Sequence, residues 1–306
     1  MPAQQVKSGQ TERAGERSGS LPAAAAGTMQ LGDDLRVNRM GFGSMRITGD
    51  GIWGPPADRD EALRTLRRAV ELGVDFIDTA DSYGPFVSEE LIAEALHPYP
   101  AGLIIATKGG FERTGPNKWV TNGRPEHLRS ALEGSLKRLR LERIDLWQLH
   151  RIDDKVPDAE QFDVLAEFIQ QGKVRHVGLS EVSVEQIERA RKVVPIVSVQ
   201  NRYNVADRDW QDVVDYCTKE HIAFIPWSPL GAGTIEKKPK HEALAKRIDD
   251  VAKAHDASAM QVALAWLLAQ TPSMLVIPGT SKAAHVEQNI RAAELTLSDA
   301  ELQSLD

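Results

Sequence analysis

From Leu31 to the C-terminus, short β-branched or apolar runs alternate with longer stretches whose apolar residues recur every three to four positions, and this alternation narrows the fold more than any other feature. The short runs predict strands at Met40–Met45, Phe76–Asp78, Leu103–Thr107, Ile144–Leu149, Val174–Leu179, Val197–Gln200, Ala223–Pro226 and Met274–Ile277. The amphipathic stretches predict helices at Arg59–Leu72, Ser88–Leu96, Glu126–Leu139, Ala159–Gln171, Val184–Lys192 and Asp207–Glu220. The seventh connection carries Ala243–Ala254 and Ala259–Ala269, and Ala283–Ala293 follows the last strand. Eight strands, each followed by helix, predict an α/β fold, a closed parallel (β/α)8 barrel. A short hairpin around Met29–Val37 is expected to plug its bottom.

The rest of the chain bounds the barrel. Met1–Gly27 is rich in Gln, Ser, Gly, Glu and Ala, with Val6 and Leu21 almost its only large apolar residues. Such a segment buries too little surface to offset its ordering entropy. Residues 1–28 are therefore expected to form a disordered leader, and 29–306 a single barrel domain. Ala23–Ala26 is too short for a secretory apolar region and follows Glu12 and Glu16. The longest obvious apolar run, Val262–Ala269, falls far short of the roughly 20 residues that span a bilayer. A net charge of −7 argues against nucleic acid or anionic membrane as the main partner. One cysteine, Cys217, excludes an internal disulfide and a cysteine-based zinc cluster, and suits a reducing cytoplasm.

In a barrel of this type the chemistry lies at the C-terminal strand ends. Asp78 closes the second strand, and Tyr83 follows five residues later in Asp78-Thr79-Ala80-Asp81-Ser82-Tyr83-Gly84. Lys108 ends the third strand and His150 the fourth. Adjacent strands lie about 5 Å apart, so the four groups can converge. A free phenol, with a pKa near ~10, is a poor acid at neutral pH, and a neighbouring ammonium lowers that pKa. Asp78 would hold Lys108 charged, and His150 would donate to a carbonyl oxygen. The set supplies a proton donor and an oxyanion clamp, as C=O reduction requires when hydride comes from elsewhere. No side chain donates hydride, so a nicotinamide or flavin must. Taken singly, a buried Lys–Asp pair or a His after an apolar strand is often only structural. Metal binding is a competing use of Asp and His, but no His-x-His or Glu/His cluster accompanies them, and no metal is expected.

These motifs resemble those of the aldo-keto reductase family, and the resemblance runs from about Leu31 to Asp306. Asp78–Gly84 is similar to the family signature, Thr107-Lys108-Gly109 to the segment of its catalytic lysine, and Leu149-His150 to that of its catalytic histidine. The resemblance implies Tyr83 as general acid, tuned by Lys108 and Asp78, with His150 orienting the carbonyl. It also implies NADPH, bound across the barrel mouth without a Rossmann domain; no G-x-G-x-x-G follows any expected strand.

Cofactor contacts carry over residue by residue. Gly43, Ser44 and Met45 end the first strand. Gly178-Leu179-Ser180-Glu181 resembles the family's Gly-Val-Ser-Asn, which holds the carboxamide; Ser180 matches, whereas Glu181 lacks the NH2 donors of Asn. Gln200 matches a further carboxamide contact. Trp227 stands where many members stack an aromatic ring on nicotinamide, and Ser228, Leu230 and Gly231 would follow the pyrophosphate. Gly279, Thr280, Ser281 and Lys282 resemble the 2′-phosphate site. Gly279 and His285 occupy positions where many members have Lys or Arg, leaving Thr280, Ser281 and Lys282 for the phosphate. Gln288 and Asn289 resemble the adenine contacts. The loop Arg46–Asp60 resembles a subgroup that includes pyridoxal reductases, so the substrate is expected to be a small aldehyde or ketone, with pyridoxal a candidate. Trp53 and Trp119, with Phe86, Phe111 and Tyr203, would form an aromatic wall. The family also contains potassium-channel auxiliary subunits that hold cofactor, which leaves a regulatory binding role as the alternative.

Overall fold

The computed structural model describes residues 21–229 and 241–306. Strands β1 (Thr28–Leu31) and β2 (Leu35–Asn38) pair as an antiparallel hairpin. Next come β3 (Phe42–Gly43), β4 (Phe76–Asp78) and β5 (Ile104–Gly109), then a second hairpin, β6 (Phe111–Gly115) with β7 (Lys118–Thr121). Strands β8 (Ile144–Leu149), β9 (Val174–Ser180), β10 (Ile196–Gln200) and β11 (Ala223–Phe224) complete the set. A parallel sheet runs in the order β3-β4-β5-β8-β9-β10-β11. The stretch around Met274–Val276 closes it: Leu275 N donates to Phe224 O at 2.9 Å, and Gly41 N donates to Val276 O at 2.8 Å. These bridges make the eighth stave of a (β/α)8 barrel.

Strand side chains alternate between two faces. Ile77, Ile105, Trp147, Leu149, Val177 and Leu179 pack outward into the large core under the helices. Phe76, Ile104, Ala106, Leu146, Leu275 and Ile277 belong to a second cluster inside the barrel. Leu31, Leu35 and Val37 of the first hairpin join that inner cluster, so the hairpin stops the barrel bottom with apolar side chains. Above this layer the inward positions turn polar, and the site is built there.

The covering helices are α1 (Arg59–Glu71), α2 (Val87–Leu96), α3 (Pro125–Leu139), α4 (Asp158–Gln170), α5 (Val184–Arg191), α6 (Gln211–Lys219), α7 (Glu242–Ala254), α8 (Ala259–Gln270), α9 (Ala283–Ile290) and α10 (Asp299–Leu305). Local caps set several of their starts: Asp58 accepts from Glu61 N at 2.9 Å, and Ser183, Ser258 and Ser298 form capping boxes. No helix among the described residues is long and apolar enough to cross a membrane.

Several expectations need correction. The first strand is shorter than Met40–Met45, because Ser44–Ile47 winds into a 3-10 turn. The sixth helix starts at Gln211 rather than Asp207, because Asn204 and Asp207 exchange backbone hydrogen bonds in a tight turn. The second hairpin and α10 were not anticipated. The leader boundary at residue 28 lies too late. Pro22–Ala26 forms a 3-10 turn, Ala23 is fully buried, and its N–H donates to Leu72 O at 3.0 Å. Small alanines that contribute little hydrophobic area fit a narrow crevice here, which a composition argument cannot detect.

Candidate active site

Four inward strand positions place their polar ends in one layer: Asp78 on β4, Lys108 on β5, Gln148 on β8 and Gln200 on β10. Lys108 is fully buried and spends all three of its N–H donors: on Asp78 Oδ2 at 2.6 Å, Thr79 O at 2.8 Å and Tyr83 Oη at 3.4 Å. Asp78 Oδ1 accepts from Gln200 Nε2 at 2.9 Å and Gln148 Nε2 at 3.3 Å. The ammonium is thereby fixed with one proton aimed at the phenol.

Burial works against the Lys108 ammonium, yet Asp78 and Tyr83 outweigh it and hold its pKa above the ordinary lysine value. Burial pushes the Tyr83 phenol above its ordinary pKa, and the opposing pull of Lys108 does not overcome it. This corrects the sequence expectation of a lowered phenol pKa. A phenolate in this closed layer loses more hydration than one ammonium returns, so Tyr83 keeps its proton. His150 is held well below its ordinary pKa by burial, with Lys108, Arg151 and Arg113 adding to the effect, and is neutral at pH 7. Ser82 Oγ lies 3.3 Å from His150 Nδ1. With the Ser82 hydroxyl donating to Nδ1, the Nε2–H is the imidazole's donor.

Asp78, Tyr83, His150 and Gln200 face a cavity of about 530 Å³, with Lys108 buried behind them. Of the sequence-selected residues, Asp78, Tyr83, His150, Gly43, Met45, Ser180, Gln200, Trp227, Ser228, Gly279, Phe111 and Trp119 line it. Gly43 and Gly279 face each other at the seam between first and last strands. A Cβ on Gly43 would lie 2.7 Å from Ile277 O, and one on Gly279 2.5 Å from Gly43 O. Only glycines let these backbones close beside the cavity. Ser180 Oγ donates to Gln200 O at 2.8 Å and accepts from Arg151 Nη1 at 3.0 Å. Glu181, at positive φ, takes the Trp227 indole N–H and the Arg202 backbone N–H, the latter at 2.7 Å. Its carboxylate therefore orients the indole from behind.

Other selected residues stand elsewhere. Ser44 turns its hydroxyl away from the cavity to Asp78 O at 2.8 Å. Trp53 does not line the cavity; its ring lies 5.7 Å from the Arg113 guanidinium. Phe86 is 46% exposed beneath Arg138, and Tyr203 is stacked on Trp266 in the core. Leu230 and Gly231 lie outside the described residues. Before the N-terminus of α9, Ser281 and Lys282 are exposed and Thr280 is buried; in its last turn Gln288 is exposed and Asn289 buried. Thr280 Oγ1 accepts from Lys282 N at 3.2 Å, and Glu61 Oε1 from Ala283 N at 2.9 Å.

Sequence reasoning missed Ser82, Gln148, Arg113, Arg151 and Glu61. Ser82 lay inside the selected motif, and Gln148 had the inward parity of His150. Arg113 sits on the second hairpin, whose turn, Gly115-Pro116-Asn117, was a usable signal. Arg151 and Glu61 had no comparable signal, because their partners come from distant segments. Among the described residues, no three His, Cys, Asp or Glu side chains gather as a metal site.

Comparison with known proteins agrees with the barrel fold. The family model described as Aldo/keto reductase family matches residues 39–306. An uncharacterized oxidoreductase of Schizosaccharomyces pombe is 51% identical, over 94% of this chain and 92% of its own length. Pyridoxine 4-dehydrogenase of Escherichia coli is 42% identical, over 88% of this chain and 94% of its own. An aldo-keto reductase of Klebsiella pneumoniae, solved in complex with NADPH, has the same fold: TM-score 0.75, 24% identity, and coverage of 91% of this chain and 93% of that one. With the motifs, the barrel and a family match over most of its length, the chain belongs to the aldo/keto reductase family.

Proposed function

We propose that the protein is an NADPH-dependent oxidoreductase that reduces a small aldehyde or ketone to an alcohol. The observation that carries this reading is the buried Asp78–Lys108–Tyr83 line, which meets neutral His150 on one wall of the cavity. Tyr83 Oη is the proton donor to the carbonyl oxygen. Lys108 stabilises the phenolate left behind, and Asp78 keeps Lys108 charged and still. His150, a donor through Nε2–H in the tautomer set by Ser82, orients the carbonyl and shares its growing negative charge. Phe111 and Trp119 exclude water from that side.

NADPH supplies the hydride when bound. The residues present fit it: Gly43 and Gly279 present backbone without side chains at the cavity wall, and Trp227 offers a flat indole there. Ser180, Gln200, Met45 and Ser228 line the same side. Thr280, Ser281 and Lys282 are the candidates for the 2′-phosphate, with Gln288 and Asn289 for adenine. The Klebsiella reductase with NADPH and the Escherichia dehydrogenase acting on pyridoxine support this reading, and pyridoxal is a candidate substrate. The complete set of four favours turnover over an auxiliary, cofactor-holding role. The test is NADPH oxidation, followed by absorbance against a panel of aldehydes and ketones that includes pyridoxal. Tight NADPH binding without turnover of any carbonyl would overturn the reading.

A further inference from the structure

Among the described residues, the second hairpin, β6–β7, forms its own two-stranded sheet and has no strand pairing with the barrel. A lone hairpin is marginally stable in water, yet this one carries Phe111 and Trp119, the aromatic side of the cavity. Trp119 meets the Tyr83 ring edge-on at 6.4 Å, and Phe111 meets the His150 ring at 4.6 Å. Something has to hold it against the proton-transfer centre. The Arg113 guanidinium makes several of the contacts that do so. It donates to Ser82 O at 2.6 Å, Ile52 O at 2.9 Å, Gly51 O at 3.1 Å and Lys118 O at 3.0 Å, and lies 3.6 Å from the Trp119 ring centroid. One planar fork thus ties together the loop after β3, the loop that carries Tyr83 and both hairpin arms. Its partners among the described residues are carbonyl oxygens and ring faces, not carboxylates. The other tie to the 51–52 loop is Asn117 N to Gly51 O at 2.9 Å.

We propose that Arg113 is a positioning residue: it clamps the hairpin so that Phe111 and Trp119 form a fixed wall, and so gives the pocket its preference for flat aromatic carbonyls over small aliphatic ones. The substrate part rests on the carbonyl-reductase reading above. Lysine cannot replace it, because a point ammonium neither forks to several carbonyls nor stacks on indole.

The test compares Arg113→Ala and Arg113→Lys with the wild type in benzaldehyde and propanal reduction, in NADPH binding by fluorescence titration, and in amide hydrogen exchange over residues 111–121. Both variants should raise KM for benzaldehyde by about tenfold or more. KM for propanal and the NADPH Kd should stay within about twofold, exchange across the hairpin should quicken, and added guanidinium should restore part of the benzaldehyde KM in Arg113→Ala. Unchanged exchange in both variants, a wild-type-like Arg113→Lys, or equal KM losses for the two aldehydes would overturn the proposal. If the wild type reduces no carbonyl while the variants still loosen the hairpin, the reductase reading and the substrate preference fall, and the clamp stands.

Discussion

Lys108 Nζ stands 2.6 Å from Asp78 Oδ2, and both side chains are shut off from solvent. Removing one partner of such a pair leaves an uncompensated buried charge, which destabilises by about 3–5 kcal/mol. Asp78→Asn should lose about that much in urea denaturation. The Lys108→Met, Asp78→Asn double variant should recover part of it, since neither charge remains. A loss under about 1 kcal/mol for the single variant would mean that Lys108 sheds its proton, contrary to the raised pKa.

Tyr83→Phe removes the proposed proton donor and the acceptor of one buried Lys108 N–H, while the ring keeps its edge-on contacts with Trp119 and His150. Carbonyl reduction should slow by about 10²–10⁴-fold. NADPH binding by fluorescence titration should be unchanged. If turnover persists near the wild-type rate, the proton comes from another group.

With these pKa shifts, the rate of the proposed reduction should be flat across neutral pH. His150 charges only well below its ordinary pKa of about 6.5, and Tyr83 ionises only above about 10. The log of kcat/KM should show no inflection between those limits; a midpoint between pH 7 and 9 would assign the proton donor elsewhere. Stability follows the same imidazole. The unfolded chain takes up a proton near pH 6.5 while folded His150 resists it, so the contribution is full above about pH 6.5 and is lost as pH falls below it. His150→Gln should flatten that part of the denaturation profile.

Glu61 puts a carboxylate on the backbone N–H of Ala283, beside the turn proposed for the 2′-phosphate. That N–H first, and then Arg64, hold Glu61 below the usual carboxylate range, so it stays charged. Glu61→Gln should therefore raise the preference for NADPH over NADH, measured as the ratio of their dissociation constants. An unchanged ratio would move the phosphate away from Thr280–Lys282.

The turn at Pro22–Ala26 is a structural plug, with Ala23 buried and bonded to the end of α1. Truncation through Gly27 should cost about 1–2 kcal/mol and lower the melting temperature by several degrees. No change in melting would show that the turn adds nothing to stability.

Much of the site was legible because its chemistry is local. The interval from Asp78 to Tyr83, the Lys at the end of one strand and the His at the end of the next are intervals along the chain, and strand parity turns them to one face. Glu181 was legible as a departure from Asn, but its use was not: the indole it holds lies 46 residues away in sequence. Trp53, Phe86 and Tyr203 were chosen for their aromatic character, yet they pack against Arg113, Arg138 and Trp266. An aromatic ring suits a pocket wall and a core equally well, so residue type alone does not separate the two.

The sequence by itself determined the eight-fold strand–helix repeat, the bottom hairpin and the identity of the four convergent groups, since periodicity and strand ends are properties of neighbouring residues. Tertiary structure decided the direction of the Tyr83 pKa, the neutrality of His150, the clamp by Arg113 and the place of Ala23. Each depends on how much water is excluded and which distant carbonyl or charge fills its place, and those are set only when segments far apart in the chain pack together.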